Sequence, residues 1–560
     1  MPAPVIDIPT KCTVLVVGGG PAGSFAACVL AREGLDVVLL ESDIFPRYHI
    51  GETMLPAMRH LLRFVDADSK FANHGFIRKT GSAFKLHKDK REGYTDFIAV
   101  GGPENYTWNL VRSESDSILY NHAQECGART FDNVKVNSLI FESQPSDDSN
   151  EQKDKRPIGA VYTRKSDNSV GEISFNFIVD ATGRTGLLTT KYLKNRVYNN
   201  TLKNVATWSY WTDVERYARG TSRENTPLTE ALTDESGWVW YIPLHIGHSV
   251  GVVIDQESYT RKKSASQSSL DFYLSQLKLA PTISALIGTS GKLITQEDGS
   301  VPIKTASDYS YSSTSYSMPY ARVAGDAGCF IDPFFSSGVH LAMMGGFSAA
   351  ISICASLRGE FTEVEAARWH SKRVAASYMW FLLVVLGAYK QIRAQDEPVL
   401  SDIDEDNFDR AFSFLTPVIQ GSMDVQHRLT HKEREKTLDL CSKIFGSWHP
   451  DEREALLNKL NTLEQDTLLA TTSSKGNPQH RDVVISKVAS ELLASDNAQT
   501  RESVTNPLTE DEKGTLENAQ ARKLIRIENT LNIANFVTDV IDGKVPRIER
   551  GSLGLQIALN

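Results

Sequence analysis

Three short stretches of this chain hold residue types that do chemistry at a useful spacing. The first is Gly18-Gly19-Gly20-Pro21-Ala22-Gly23, with glycines in GxGxxG register. In such a set the first glycine permits a tight turn, the second lets backbone approach a pyrophosphate, and the third allows close helix packing. Glu41 follows Gly18 by 23 residues, where a carboxylate accepts hydrogen bonds from ribose hydroxyls. The second stretch is Ser336-Ser337-Gly338, which enters a helix at Val339. Its backbone N–H groups and helix N-terminus suit a small anion, although an ordinary serine cap has the same geometry. The third, GWVWYIP at 237–243, spends two of the chain's 8 tryptophans on Trp238 and Trp240. Rigid indoles there either wall a cavity or fill a core. The expectation is that a strand sends the two rings to opposite faces, which would make one of them core.

Positioning these groups requires a particular order of elements. Thr13–Val17 reads as a buried strand, small residues carry a helix to Gly34, and Val37–Leu40 forms a second strand ending at Glu41, which together make a βαβ unit. Arg112 lies where a strand feeds an amphipathic helix, WNLVRSESDSILYNHAQECGA, and resembles the arginine that many FAD monooxygenases hold near the flavin. The turn DATGR, Asp180 to Arg184, is similar to one in glutathione-reductase-type flavoproteins, and AGDAG, with Gly325 and Asp326, resembles the second FAD fingerprint, whose acid meets the ribityl chain. Together these favour FAD over NAD, bound by Gly18, Gly19, Gly20, Ala22, Gly23, Glu41, Arg112 and Asp326. The expected fold is α/β, an FAD-binding Rossmann-like fold of the glutathione-reductase/FAD-monooxygenase type. A second GxGxxG is missing, and the DATGR turn lacks the Asp-Gly pair that related hydroxylases place near NADPH. Reduced flavin is therefore expected from a separate NADH- or NADPH-dependent reductase.

At 560 residues the chain exceeds a single core, and the acidic run after Ser401 marks a boundary. Residues 1–390 are expected to form the FAD module, with a mixed substrate-side sheet from about 75–110 and 200–300. Residues 391–560 are expected to be mainly helical, with a flexible insertion at about 471–519, and 143–157 reads as a solvated loop. A net charge of −9, from 60 basic and 69 acidic residues, argues against a nucleic-acid surface. The 6 cysteines are scattered without metal-ligand spacing, so no metal is expected and they read as small buried hydrophobes in a reduced compartment. The N-terminus lacks the pattern of a signal peptide. The longest apolar stretch, Val374 to Tyr389, falls short of the roughly 20 residues a membrane helix needs, so it reads as a buried core helix. No transmembrane segment and a cytoplasmic location are the expectation.

Several motifs converge on one family. GWVWYIP resembles the WxWxIP signature of flavin-dependent halogenases, and FIDPFFSSG fits a second pattern through Phe330, Pro333, Ser336 and Gly338. FPRYHIGETMLP, HGFIRKTGSAFK and the C-terminal FDRAFSFLTPVIQG are similar to segments of the fungal halogenases acting on phenols and polyketides. The resemblance covers nearly the whole chain. It implies that Glu52 lies near FAD, that Lys79 is the catalytic lysine, that Ser337 and Gly338 hold the halide, and that Val339 touches the flavin. It further implies that Trp238 and Trp240 stand between flavin and substrate, so that hypohalous acid made from FADH2, O2 and chloride or bromide travels to a separate pocket. Phe335 stands where tryptophan halogenases keep a glutamate proposed to stabilise the ring cation. A phenol supplies that stabilisation through its own oxygen, so the expected substrate is an electron-rich phenolic or polyketide-derived aromatic, free or tethered to a carrier protein. The competing readings are an FAD-dependent aromatic hydroxylase and a non-catalytic FAD-binding protein. His49, His74, His245, His248 and His340 are candidates by type alone for the base that activates the phenol.

Overall fold

The computed structural model describes residues 7–142, 156–396, 400, 408, 419–420 and 540–558. Its first layer grows from the N-terminal unit, strand β1 (Lys11–Val17), helix α1 (Pro21–Arg32) and strand β2 (Val37–Leu40), with β1 and β2 parallel. The apolar runs in both strands are almost wholly buried, as in a parallel sheet covered by helices on each face. Strand Val170–Asp180 pairs with the other side of β1, Ala321–Val323 lies beyond it, and Arg129–Phe131 extends the sheet past β2, all in parallel. An antiparallel pair, Val134–Phe141 and Pro157–Arg164, is attached through Val170–Asp180. This is the expected Rossmann-like α/β arrangement. Val17 and Asp180 are in register at the carboxyl ends of adjacent strands, beside the switch point where doubly wound sheets bind ligands.

The second sheet has eight strands and is mixed. Arg196–Thr212, Gly247–Asp255, Gly237–Leu244 and Leu228–Ala231 run antiparallel in that order, and Leu228–Ala231 then pairs in parallel with Gly81–Lys85. All eight residues of Gly237–Leu244 are buried, because both faces of the sheet are covered. Trp238, Trp240, Ile242 and Leu244 enter one core cluster and Val239 and Tyr241 another. The two tryptophans therefore share a face, which corrects the expectation of opposite faces: side chains alternate with a period of two, and these residues are two apart.

Two long helices close the molecule. Gly338–Leu357 follows the FIDPFFSSG loop, and Glu363–Arg393 starts at a capping box in which Thr362 Oγ1 accepts from the Glu365 N–H while the Glu365 carboxylate accepts from the Thr362 N–H. Both are long and apolar enough to cross a membrane by length and composition alone, yet 83% and 61% of their apolar windows are buried inside the protein. Val374 to Tyr389 is the middle and end of the second helix and packs Tyr378, Phe381, Val384, Val385 and Tyr389 into the core. The expected loop at 143–157, and the mainly helical region after 391 with its insertion at 471–519, fall almost entirely outside the described residues. Residues 544–557 form an antiparallel hairpin, Lys544–Arg547 with Gly554–Ile557.

Candidate active site

At the end of β1, Gly18 takes φ +105°, and a Cβ there would lie 2.2 Å from Ala181 O. A Cβ on Gly23 would lie 1.9 Å from Gly18 O, so neither position admits a side chain. Gly20 begins α1 without any side-chain cap, which leaves the N–H groups of the first turn for a phosphate. Glu41 stands at the rim: its Oε2 accepts from the Gly19 N–H at 2.5 Å and its Oε1 from the Asp43 N–H at 2.9 Å. Opposite, Asp180 accepts from the Thr182 N–H (3.1 Å), the Thr182 hydroxyl (2.7 Å) and the Leu188 N–H (2.6 Å), and so builds the DATGR turn that presses Ala181 on Gly18. Gly325 packs against Ala22 and Ala342, bringing Asp326 beside the cradle, where burial pushes its carboxyl up against the pull of Arg112, Arg184 and Arg196.

Arg112 begins the helix Arg112–Glu125, forks onto both oxygens of Asp116 at 2.9 and 3.1 Å, and donates to Ile50 O at 2.8 Å. It thereby pins the segment leading to Glu52. That carboxylate is 3% exposed, accepts from Tyr210 OH at 2.7 Å through Oε1, and is pushed up to about 7 by burial. Its Oε2 has no hydrogen-bond partner among the described residues. A glycine turn that any Cβ would block, an uncapped helix start, a rim acid and an unpaired buried carboxylate oxygen fit a bound dinucleotide such as FAD.

Lys79 ends the short strand Ile77–Lys79, which pairs with Thr107–Asn109. It is 1% exposed, and its Nζ donates to Thr53 Oγ1 at 2.6 Å and Met54 O at 3.0 Å. Burial alone lowers it to about 7. Its neighbour Arg78 turns away, donating to Pro103 O and lying 3.7 Å over the Tyr106 ring. Thr53 Oγ1 is 3.1 Å from Ser336 Oγ, so a chain of hydroxyls links the lysine to the residue before Ser337. Ser336 itself takes φ +58°, and Ser337, 1% exposed, forms the uncapped N-terminus of Gly338–Leu357. A Cβ on Gly338 would meet nothing within 4 Å, so there is open space beside the first residue of that helix.

The tryptophans hold this loop from behind. Trp238 Nε1 donates to Tyr389 OH at 2.8 Å, and Tyr389 OH donates to Asp332 Oδ2 at 2.7 Å. Asp332 also accepts from the Phe334 N–H at 2.9 Å and from Asn204 at 3.3 Å, and burial pushes its carboxyl up to about 6. Trp238 meets Phe334 edge-on at 5.0 Å and Trp240 at 6.0 Å, while Trp240 Nε1 donates to Ser249 Oγ at 3.1 Å. Both rings are buried, at 1% and 7% exposure.

The tryptophan halogenase family model matches residues 13–107 and 105–410. The flavin-dependent halogenase ascD of Acremonium egyptiacum is 50% identical, over 98% of this chain and 93% of its own. The chain belongs to the flavin-dependent halogenases. The sulochrin halogenase gedL of Aspergillus terreus is 44% identical, over 99% of this chain and 94% of its own. Among solved structures, the myxobacterial chondrochloren halogenase CndH is 27% identical with a TM-score of 0.61, covering 77% of this chain and 97% of its own. The halogenase PltM, at 16% identity and a TM-score of 0.57, shares the fold over 93% of this chain and 99% of its own. The hydroxylase reading is not favoured.

The halogenase thus brings Lys79, Thr53 and Ser336 together from positions up to 283 residues apart, with Trp238 against the same loop. Sequence reasoning missed Thr53, Asn204, Asp332 and Tyr389; the first and third lie inside GETMLP and FIDPFFSSG, beside Glu52 and Pro333. It also missed Gly346, whose Cβ would lie 2.4 Å from Ala22 O and which lets Gly338–Leu357 close on α1. Phe335 packs on Phe84 at 5.3 Å and Phe334 at 4.8 Å as core. Of the histidines, His74 and His245 bracket the Glu114 carboxylate at 2.7 and 3.2 Å. His49 is lowered to about 4 by Arg112 and then burial, and His248 to about 4 by burial. His340 is buried beside Phe381.

Proposed function

We propose that this halogenase chlorinates an electron-rich phenolic or polyketide-derived ring, with Lys79 relaying the halogen. FAD, reduced by a separate NADH- or NADPH-dependent reductase, supplies with O2 the oxidising equivalents that turn chloride or bromide into hypohalous acid. Gly18, Gly19, Gly20, Ala22 and Gly23 cradle the pyrophosphate, Glu41 takes the ribose, Glu52, Arg112 and Asp326 border the rest, and Val339 touches the flavin. The N–H groups at Ser337 and Gly338 hold the halide. Trp238 and Trp240, on one face behind that loop, exclude anything as large as the aromatic substrate and leave a route for a small oxidant. The observation that carries the reading is Lys79: a buried amine near 7, with no acid among its hydrogen-bond partners, joined through Thr53 to the halide loop. Its amine takes halogen from hypohalous acid with loss of water, or its ammonium orients that acid toward the ring.

The phenolic preference is supported by Phe335, which offers no carboxylate to a ring cation. It is also supported by the likeness to a relative named a sulochrin halogenase. The substrate is free or carrier-tethered, and the free cysteines fit a cytoplasmic enzyme. The test is mass spectrometry of a reaction holding FAD, a reductase, NADH, O2 and an orsellinate-type phenol. A chlorine isotope pair that becomes a bromine pattern when the salt is exchanged is the expected product. Halide-independent gain of oxygen would overturn the proposal.

A further inference from the structure

Cys28 on α1 and Cys126, which caps the C-terminal end of Arg112–Glu125, read in the sequence as separate buried hydrophobes. The fold brings them together: their Sγ atoms and a ring nitrogen of His122 all lie within 4.8 Å of one another. Cys126 Sγ is 3.6 Å from His122 Nε2, which also lies 2.7 Å from Val65 O, and that carbonyl keeps the proton on Nε2. Arg32 donates to the same carbonyl at 2.7 Å. A metal ion there would sit beside the Arg32 guanidinium, whose positive charge opposes it. The arrangement suits a thiolate among donors better than a metal among ligands. Hydrogen bonding from the Cys28 thiol, with further help from His122 and Arg32, holds the Cys126 thiol below its ordinary range, whereas burial pushes the Cys28 thiol up. Cys28 is fully buried and Cys126 only partly so. Cys126 is thus the half-buried thiol and Cys28 the sheltered one beside it.

We propose that Cys126 is a peroxide-reactive thiol and Cys28 its resolving partner. The Cys126 thiolate attacks one oxygen of hydrogen peroxide, the O–O bond breaks, hydroxide leaves, and sulfur is oxidised by two electrons to a sulfenic acid. The Cys28 sulfur then displaces that hydroxyl, its proton leaving with it as water, and the S–S bond forms. Overall two thiols and one peroxide give one disulfide and two waters. Both helices so joined begin at the cofactor site, α1 at the glycine cradle and Arg112–Glu125 at the arginine that pins Gly51. The bridge therefore fastens the two elements that hold the dinucleotide. This inference does not depend on which substrate is halogenated.

The test exposes the reduced, full-length protein to hydrogen peroxide, blocks remaining thiols under denaturing conditions and maps the peptides. The expected result is a Cys28–Cys126 link with a loss of about 2 Da. Cys28→Ser should instead give a dimedone-trapped sulfenic acid at Cys126, and Cys126→Ser neither product. Competitive alkylation of the unsubstituted protein at neutral pH requires no variant and should show Cys126 reacting about tenfold faster than Cys12, Cys329 and Cys354. Equal alkylation rates, peroxide oxidation falling first on another cysteine, or a stoichiometric bound metal shielding both thiols would each overturn the proposal.

Discussion

Lys79 Nζ faces two acceptors, Thr53 Oγ1 and Met54 O, and a neutral amine has two N–H bonds. Both are used, which leaves the lone pair for an electrophile. Burial supplies that neutral state by lowering the amine to about 7 from an unfolded value near 10.5. Between those two pH values the unfolded chain binds one proton more than the folded chain, so this group makes stability rise with pH across the window. Lys79→Met removes the effect. Compared by urea unfolding, the unsubstituted protein should gain on Lys79→Met as pH rises from 7 to 10, by about 1.4 kcal/mol for each unit traversed at most. A constant difference would mean that the amine is not buried in solution. Halogenation, if the amine is the relay, should rise through pH about 7 with the same group.

The FIDPFFSSG loop is held by neighbouring elements as well as by its own Asp332, which accepts from the Phe334 N–H. Helix Gly338–Leu357 reaches α1 because Gly346 lets the Ala22 carbonyl approach. A methyl group there must push the helices apart, since the obstructing atom is backbone. Gly346→Ala should cost about 1–3 kcal/mol, and the damage should reach both ends of the site: lower FAD content on purification, and slower halogenation per bound FAD. Full FAD content with unchanged melting temperature would contradict that packing. The same contact shows why part of the site was legible in sequence and part was not. The glycine cradle and Glu41 are local, so GxGxxG after a strand announces them. Gly346 and Ala22 are 324 positions apart, and nothing near either names the other. The Thr53–Ser336 contact and the Trp238–Tyr389–Asp332 chain are likewise products of tertiary packing. The shared facing of the tryptophans is legible in the sequence, contrary to the expectation of opposite faces, because a spacing of two keeps side chains on one face of a strand.

On the scale of the molecule, the described end of the chain returns to the dinucleotide layer. The Glu33 carboxylate, at the end of α1, accepts from the Gly551 N–H at 2.8 Å and the Leu553 N–H at 3.0 Å, and Glu360 accepts from the Leu555 N–H at 2.9 Å. Ile541, Leu553 and Leu555 are buried in the same core as α1. Arg550 pairs with Asp66, whose other partner is Arg32. A chain ending at residue 539 would lose the four buried apolar side chains Ile541, Val545, Leu553 and Leu555, roughly 6–12 kcal/mol, which is a large share of a typical domain's stability. The expected outcome is a melting temperature lowered by several degrees and loss of bound FAD. Retention of both would show that the hairpin is dispensable.

Whether halogen reaches the ring by way of Lys79 is decided by comparing Lys79→Ala with the unsubstituted enzyme at matched FAD content. Both are given reduced flavin, O2, bromide and the phenol, and halogenated product is counted against flavin oxidised. Lys79→Ala should oxidise flavin at a near-normal rate and yield product reduced about a hundredfold or more. Equal product per flavin oxidised would contradict a relay through Lys79.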